Sequence, residues 1–174
     1  MSVRNLKQFL AEKSKDELIK LLAELYTKHK NVKEYLEHLA APDPAGTLQK
    51  YKDRVQKAFI PSSTFKFKLS DARKAIADFR KLDPSPEDLA EILLYHVEMC
   101  VEFTNDYGDI DEQFYTSTEN QFENAMKIMH KHNLLDKFQA RCEAVCTDTE
   151  GIGWGFPDAL SDLYLDYFGV VPKK

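Results

Sequence analysis

The sequence predicts an all-α protein, and three observations carry that reading. Apolar residues recur at three- and four-residue spacings along most of the chain, the period of one helix face. Capping serines, prolines at first helical positions and glycines past helix ends punctuate the pattern at short intervals. Period-two alternation is confined to Phe65-Lys66-Phe67-Lys68, a stretch with no partner strand. The chain has 174 residues, 43% hydrophobic and 30% charged, enough for its own core and unlike a disordered, fibrous or disulfide-stapled sequence.

About nine helices are expected. The first spans Val3 to Glu12 with Leu6, Phe9 and Leu10 inward. Ser14 caps the second, and Glu17 three residues later completes a capping box before Leu18, Leu21, Leu22 and Leu25. Asn31 and Glu34 repeat that pattern ahead of Tyr35, Leu36 and Leu39, and Pro42 and Pro44 stop the third helix. The fourth runs from Gly46 to Phe59 on Leu48, Tyr51, Val55 and Phe59. Pro61 ends it, and Phe65 and Phe67 then tuck into a loop. The fifth covers Ser70 to Leu82 with Ala72, Ile76 and Phe79 inward.

Ser85, Pro86 and Asp88 form the strongest start signal in the chain. The sixth helix follows to Asp106 on Leu89, Ile92, Leu93, Val97, Cys100 and Phe103, and Gly108 breaks it. The seventh spans Asp111 to Lys131, with Phe114, Phe122, Ala125, Met126 and Met129 inward. The eighth runs from Leu134 to Cys146 on Leu135, Phe138, Cys142 and Val145. The last covers Pro157 to Phe168 and stops at Gly169. Short connections make neighbouring helices antiparallel. The expectation is a single domain, residues 1–174, of irregular antiparallel pairs in a degenerate HEAT-like or armadillo-like array, with a closed irregular bundle as the alternative. Its weakest joint is Pro61 to Leu69.

Charge divides the chain unevenly. Residues 1–81 carry 18 basic and 10 acidic side chains, whereas residues 82–174 carry 6 and 19. From Leu82 through Met126 there are 12 acids and no lysine or arginine. Internal neutralisation between stacked helices is one explanation, and a charged partner or self-association is the other. The N-terminal stretch MSVRNLKQFLAEKSKDE lacks a signal-peptide core, and no run approaches the roughly 18 apolar residues of a spanning helix. A cytoplasmic, membrane-free chain is expected, with Cys100, Cys142 and Cys146 as free thiols.

No catalytic or metal-binding set emerges, and no cofactor is expected. Glu98, Glu102 and Asp106 form an acidic row with four-residue spacing, but no Glu-x-x-His tetrad accompanies it. NDYGDIDEQF puts Phe103 and Phe114 at the first and twelfth positions of a calcium loop, so that match fails. Cys142 and Cys146 lack zinc-knuckle spacing. The alternating Gly151, Gly153 and Gly155 lack the lysine of a phosphate loop. Two readings of Trp154 stand: a plug that closes the end of the core, or, with Phe156 and Tyr164, an anchor for a protein partner. Phe65, Lys66, Phe67, Lys68, Arg73 and Lys74 combine aromatic and basic groups suited to an anion or single-stranded nucleic acid.

KDELIKLLAELYTKHKNVKEYL and GIGWGFPDALSDLYLDYF resemble a family of small, uncharacterised bacterial all-helical proteins that carry a domain-of-unknown-function label. The resemblance spans nearly the whole chain. It implies a bacterial cytoplasmic origin and brings no catalytic residue with it. The favoured expectation is a noncatalytic protein-interaction or scaffold module, with a homo-oligomer open. A nucleic-acid-associated factor comes second and a metal-dependent hydrolase built on the acidic row third.

Overall fold

The computed structural model describes residues 1–60 and 69–172. Among these there are nine α-helices and no strand. No described helix is long and apolar enough to cross a membrane. Packing divides the chain into two compact units, Met1–Asp43 and Pro44–Lys174. The division falls at the Pro42–Pro44 pair. The joint expected at Pro61–Leu69 lies almost wholly outside the described residues, as do Phe65 and Phe67.

In the first unit, α1 (Val3–Ala11) is capped by Ser2, whose hydroxyl accepts from the Asn5 amide. Helix α2 (Lys15–Lys28) carries the expected capping box. Ser14 Oγ accepts from the Glu17 amide at 3.3 Å, and Glu17 Oε2 accepts from the Ser14 amide at 2.8 Å. Helix α3 (Lys30–Ala40) starts earlier than the sequence signal suggests. His29 takes an extended conformation and occupies the cap without a side-chain hydrogen bond, so Asn31 lies inside the helix and caps nothing. Helices α2 and α3 pack on each other, and the Tyr26 hydroxyl donates to Glu37 at 2.9 Å. The expected inward stripes of all three helices are present, yet none of their residues is buried.

The second unit holds the core. Its helices are α4 (Pro44–Phe59), α5 (Leu69–Arg80), α6 (Pro86–Tyr107), α7 (Glu112–Lys131), α8 (Leu135–Thr147) and α9 (Phe156–Phe168). They pack as three successive pairs, α4 with α5, α6 with α7 and α8 with α9; the first pair packs on the second and the second on the third. Ser85 Oγ accepts from the Asp88 amide at 3.0 Å and Pro86 opens α6, as the sequence signal requires. Gly108 ends α6 at φ 87°, and Gly169 ends α9 at φ 68°, conformations that cost a glycine little.

The expected stripes of α4 to α9 supply the buried core. Tyr51 and Val55 meet Ala72, Ile76 and Phe79 at one end, with the Tyr51 and Phe79 rings 5.2 Å apart. Ile92, Leu93 and Val97 of α6 and Phe122, Met126 and Met129 of α7 fill the middle. Phe138, Cys142, Val145, Leu160 and Tyr164 complete the far end.

Candidate functional site

The loop between α8 and α9 overturns the plug expected of Trp154. Its indole is 60% exposed, and the residue sits at φ 63°, the left-handed region that a bulky side chain rarely adopts. The neighbouring Phe156 takes the core position instead and is wholly buried, its ring 4.8 Å from that of Tyr115. Tyr164 is equally buried and stacks on Phe168 at 4.4 Å. Phe156 and Tyr164 therefore offer no ring to a partner. The reason is helical register: both lie on the inward stripe of α9 with Leu160, while Trp154 precedes the helix.

Side chains from several elements hold this loop in place. Buried Thr149 donates to the Cys146 carbonyl at 2.7 Å. Asn105 near the end of α6 donates to the Asp148 carbonyl at 2.9 Å. The Gly153 amide donates to Asp109 Oδ1 at 3.3 Å, and that carboxylate also accepts from the Tyr115 hydroxyl at 3.1 Å. A Cβ at position 153 would lie 2.8 Å from Asp109 Oδ2, so glycine permits the approach. The exposed indole thus projects from a pinned turn.

The surroundings are acidic. Asp148 of the same loop lines a groove of about 380 Å³ between α6 and α8, together with Glu98, Glu102, Asp106 and Arg141. The last turn of α6 contains Asp106 and no basic residue, although a helix C-terminus favours cations. Carboxylates four apart on one helix also repel.

Arg141 resolves part of that repulsion. Its Nε and an Nη donate to both oxygens of Glu98, at 2.7 and 2.8 Å, and its other Nη donates to Glu91. Lys52 of α4 reaches the second oxygen of Glu91 at 2.8 Å. Burial alone would raise the Glu91 carboxyl, but the hydrogen bonds and charges of Arg141 and Lys52 hold it below the usual glutamate value. Hydrogen bonds to Glu98 raise the Arg141 pKa further. The acidic row is therefore not three equivalent carboxylates: Glu98 is occupied by arginine, and Glu102 and Asp106 are exposed. Among the described residues no group of three His, Cys, Asp or Glu side chains is placed to hold a metal ion.

A second, polar cleft of about 600 Å³ lies where α5, α6 and α7 meet. Arg73 donates to Ser117 Oγ, Glu112 and Asn120 line one wall, and His96 belongs to the lining. His96 is 2% exposed, and its Nδ1 has no hydrogen-bond partner. Burial, then the nearby Arg73 charge, lowers its pKa to about 4. Cys100 Sγ lies 4.0 Å from His96 Nε2, and burial pushes all three thiols up to about 12. Such thiols stay protonated at neutral pH and are poor nucleophiles.

The basic residues of the first 81 positions are partly consumed. Lys52 pairs with Glu91, and Arg54 and Lys81 both pair with Asp78 at 3.1 and 2.9 Å. Of the six residues expected to contact an anion or nucleic acid, Arg73 and Lys74 are exposed on α5, and Phe65, Lys66, Phe67 and Lys68 lie outside the described residues. Arg141 and Asn105 carried no signal in the sequence. Their partners are distant in the chain, 43 and 50 residues away for Arg141, and no local pattern encodes such contacts.

These features define an all-helical protein with a pinned aromatic loop beside an acidic groove. The chain belongs to the DUF6155 family, a family of unknown function, whose model matches residues 1–164 and so runs through both units. No curated protein and no solved structure matches it.

Proposed function

We propose that the protein is a noncatalytic interaction module whose Trp154 loop anchors a basic protein partner. The observation that carries this reading is the exposed Trp154 at positive φ, on a loop fixed by Thr149, Asn105 and Asp109. Strain of this kind persists only where surrounding contacts enforce it, and it concentrates at functional sites. A rigid aromatic loses little entropy on docking, and tryptophan is enriched among binding hot spots. Asp148 of the same loop shares a groove with Glu102 and Asp106, and these carboxylates give that groove a negative potential that would steer a basic partner. The serial packing of helix pairs is the kind of scaffold on which HEAT-like arrays display such faces. The buried free cysteines suit the reducing cytoplasm of a bacterium.

The test uses the native chain and Trp154→Ala as baits in the source cell, at low and high salt. The expected result is a partner retained by the native chain at low salt, weakened at high salt and lost by the variant. The variant should unfold within about 0.5 kcal/mol of the native protein, as surface substitutions do. Because Trp154 is the only tryptophan, its emission should shift to the blue when the purified partner binds. Equal capture of the same partners by both baits overturns the reading.

A further inference from the structure

Helices α5 and α7 each pack on α6 more than on each other, and the polar cleft of about 600 Å³ lies in the gap between them. That volume is within the range of small-molecule sites. Gln113, Ser117 and Gln121, four residues apart on α7, put a row of uncharged donors and acceptors on one wall. Buried His96 of α6 forms the floor, and Arg73 of α5 stands opposite α7.

Two groups in this cleft are left unfinished by the fold. The first is Arg73. Elsewhere in Pro44–Lys174, cations that bridge helices meet carboxylates: Lys52 and Arg141 at Glu91, Arg54 at Asp78 and Lys137 at Glu87. The Arg73 guanidinium instead donates to the Ser117 hydroxyl, and no carboxylate lies within ion-pair distance of it among the described residues. The second is His96. Its Nδ1 is the one buried side-chain nitrogen or oxygen of Pro44–Lys174 without a partner among the described residues. Such an atom carries its desolvation cost until something supplies the missing hydrogen bond.

We infer that this cleft binds a small carboxylate that also carries a hydroxyl or ammonium group, with the carboxylate on Arg73 and Ser117 and the rest of the molecule against His96 and the α7 row. Charge sets the class. A guanidinium grips a carboxylate through two parallel N–H donors, and Arg73 has donors beyond the one given to Ser117. Glu112 also lines the cleft, so a dianion such as phosphate meets a repulsion that a single carboxylate largely escapes. The Glu112 carboxylate can in turn accept from the ligand's hydroxyl or ammonium. The same ligand completes His96 in either neutral tautomer: a bare Nδ1 accepts from the hydroxyl or ammonium, and an Nδ1–H donates to the carboxylate. The site is built from α5, α6 and α7 and stands independently of the Trp154 loop.

The experiment titrates the full chain with L-serine, L-lactate and L-glutamine in turn, and follows the side-chain nitrogens of the five histidines by magnetic resonance. The His96 signals are assigned by their loss in His96→Leu. At least one of the three should move them saturably while the other four histidines stay fixed. Arg73→Gln, at an exposed position and still able to donate to Ser117, should weaken that binding by roughly tenfold or more. Ser117→Ala should weaken it by less. Lys74→Gln, exposed on α5 outside the lining, should leave it unchanged. His96 signals that stay fixed with all three compounds overturn the inference, since Nδ1 is then served by water at most. Binding that ignores Arg73→Gln overturns it too, and so does inorganic phosphate binding as tightly as the carboxylates. The titration itself uses native protein, so a variant that misfolds does not spare the idea.

Discussion

Met1–Asp43 and Pro44–Lys174 display the same sequence grammar and reach different ends. Both have apolar residues at helical spacing, and both have a serine-capped helix whose hydrogen bonds form as expected, at Ser14 and at Ser85. In the second unit, stripes from six helices converge, and Phe79, Leu93, Phe122, Met126 and Leu160 are essentially solvent-free. In the first unit three stripes of similar quality bury nothing. Amphipathicity states that a face requires cover. It does not state whether the cover lies on the next helix, elsewhere in the chain or on another molecule.

The largest effect should come from truncating matched aromatics in the two units. Phe122→Ala removes a fully buried ring and should cost about 3–5 kcal/mol in denaturant unfolding. Phe9→Ala removes a ring that is nearly half exposed and should change monomer stability by less than about 1 kcal/mol in dilute solution. A comparable loss at both sites would show that the first unit has a core after all.

The next effect belongs only to the second unit. His96 has a folded pKa of about 4, below its ordinary 6.5, because it is buried and feels the Arg73 charge. Below pH 6.5 the unfolded chain binds a proton that the folded chain refuses until about pH 4. Stability is therefore complete above pH 6.5 and falls as pH drops through that window, by on the order of 3 kcal/mol. His96→Leu should remove this slope from unfolding curves recorded between pH 7 and pH 5. A slope that persists would place its origin elsewhere.

Arg141→Met should follow, at about 2 kcal/mol. That value lies between the 0–1 kcal/mol of exposed ion pairs and the 3–5 kcal/mol lost when a buried charge is orphaned. The site is intermediate, since the Glu91, Glu98 and Arg141 side chains retain 18%, 27% and 36% exposure. The sign is set by the depressed Glu91 pKa. Its contribution is present above about pH 4.5, its unperturbed value, and is lost as pH falls through the lower folded value. The variant should therefore lose more stability at pH 7 than at pH 3, measured as the difference in unfolding midpoint from the native chain.

The second unit was legible because its signals are local. Ser85-Pro86, Gly108 and Gly169 fix helix ends by backbone chemistry, and the stripes between them face inward once neighbours are paired by short connections. Asn31 misled because the extended His29 lets α3 begin before the supposed cap. The candidate site was half legible. Gly151, Gly153 and Gly155 marked the loop and the lone tryptophan marked its centre, but the two readings of Trp154 differ only in which aromatic enters the core. That choice depends on Asp109 and Asn105, which reach the loop from another corner of the unit.

The smallest effect tests that choice. At φ 63° Trp154 bears a left-handed penalty of roughly 1–2 kcal/mol for a residue with a Cβ. Trp154→Ala and Trp154→Gly remove the same indole, so lost contacts cancel between them. Alanine keeps the penalty. Glycine escapes it but gives back about 0.5–1 kcal/mol as added freedom of the unfolded chain. Trp154→Gly should therefore be more stable than Trp154→Ala by up to about 1 kcal/mol. The native indole, more than half exposed, should emit as in water. If alanine matches or exceeds glycine, the turn relaxes in solution and the loop is not pinned by Asp109. If glycine also exceeds the native chain, the tryptophan is held at a cost to folding. A residue retained against stability, on a surface it does not help to close, is then explained by what it contacts outside the chain.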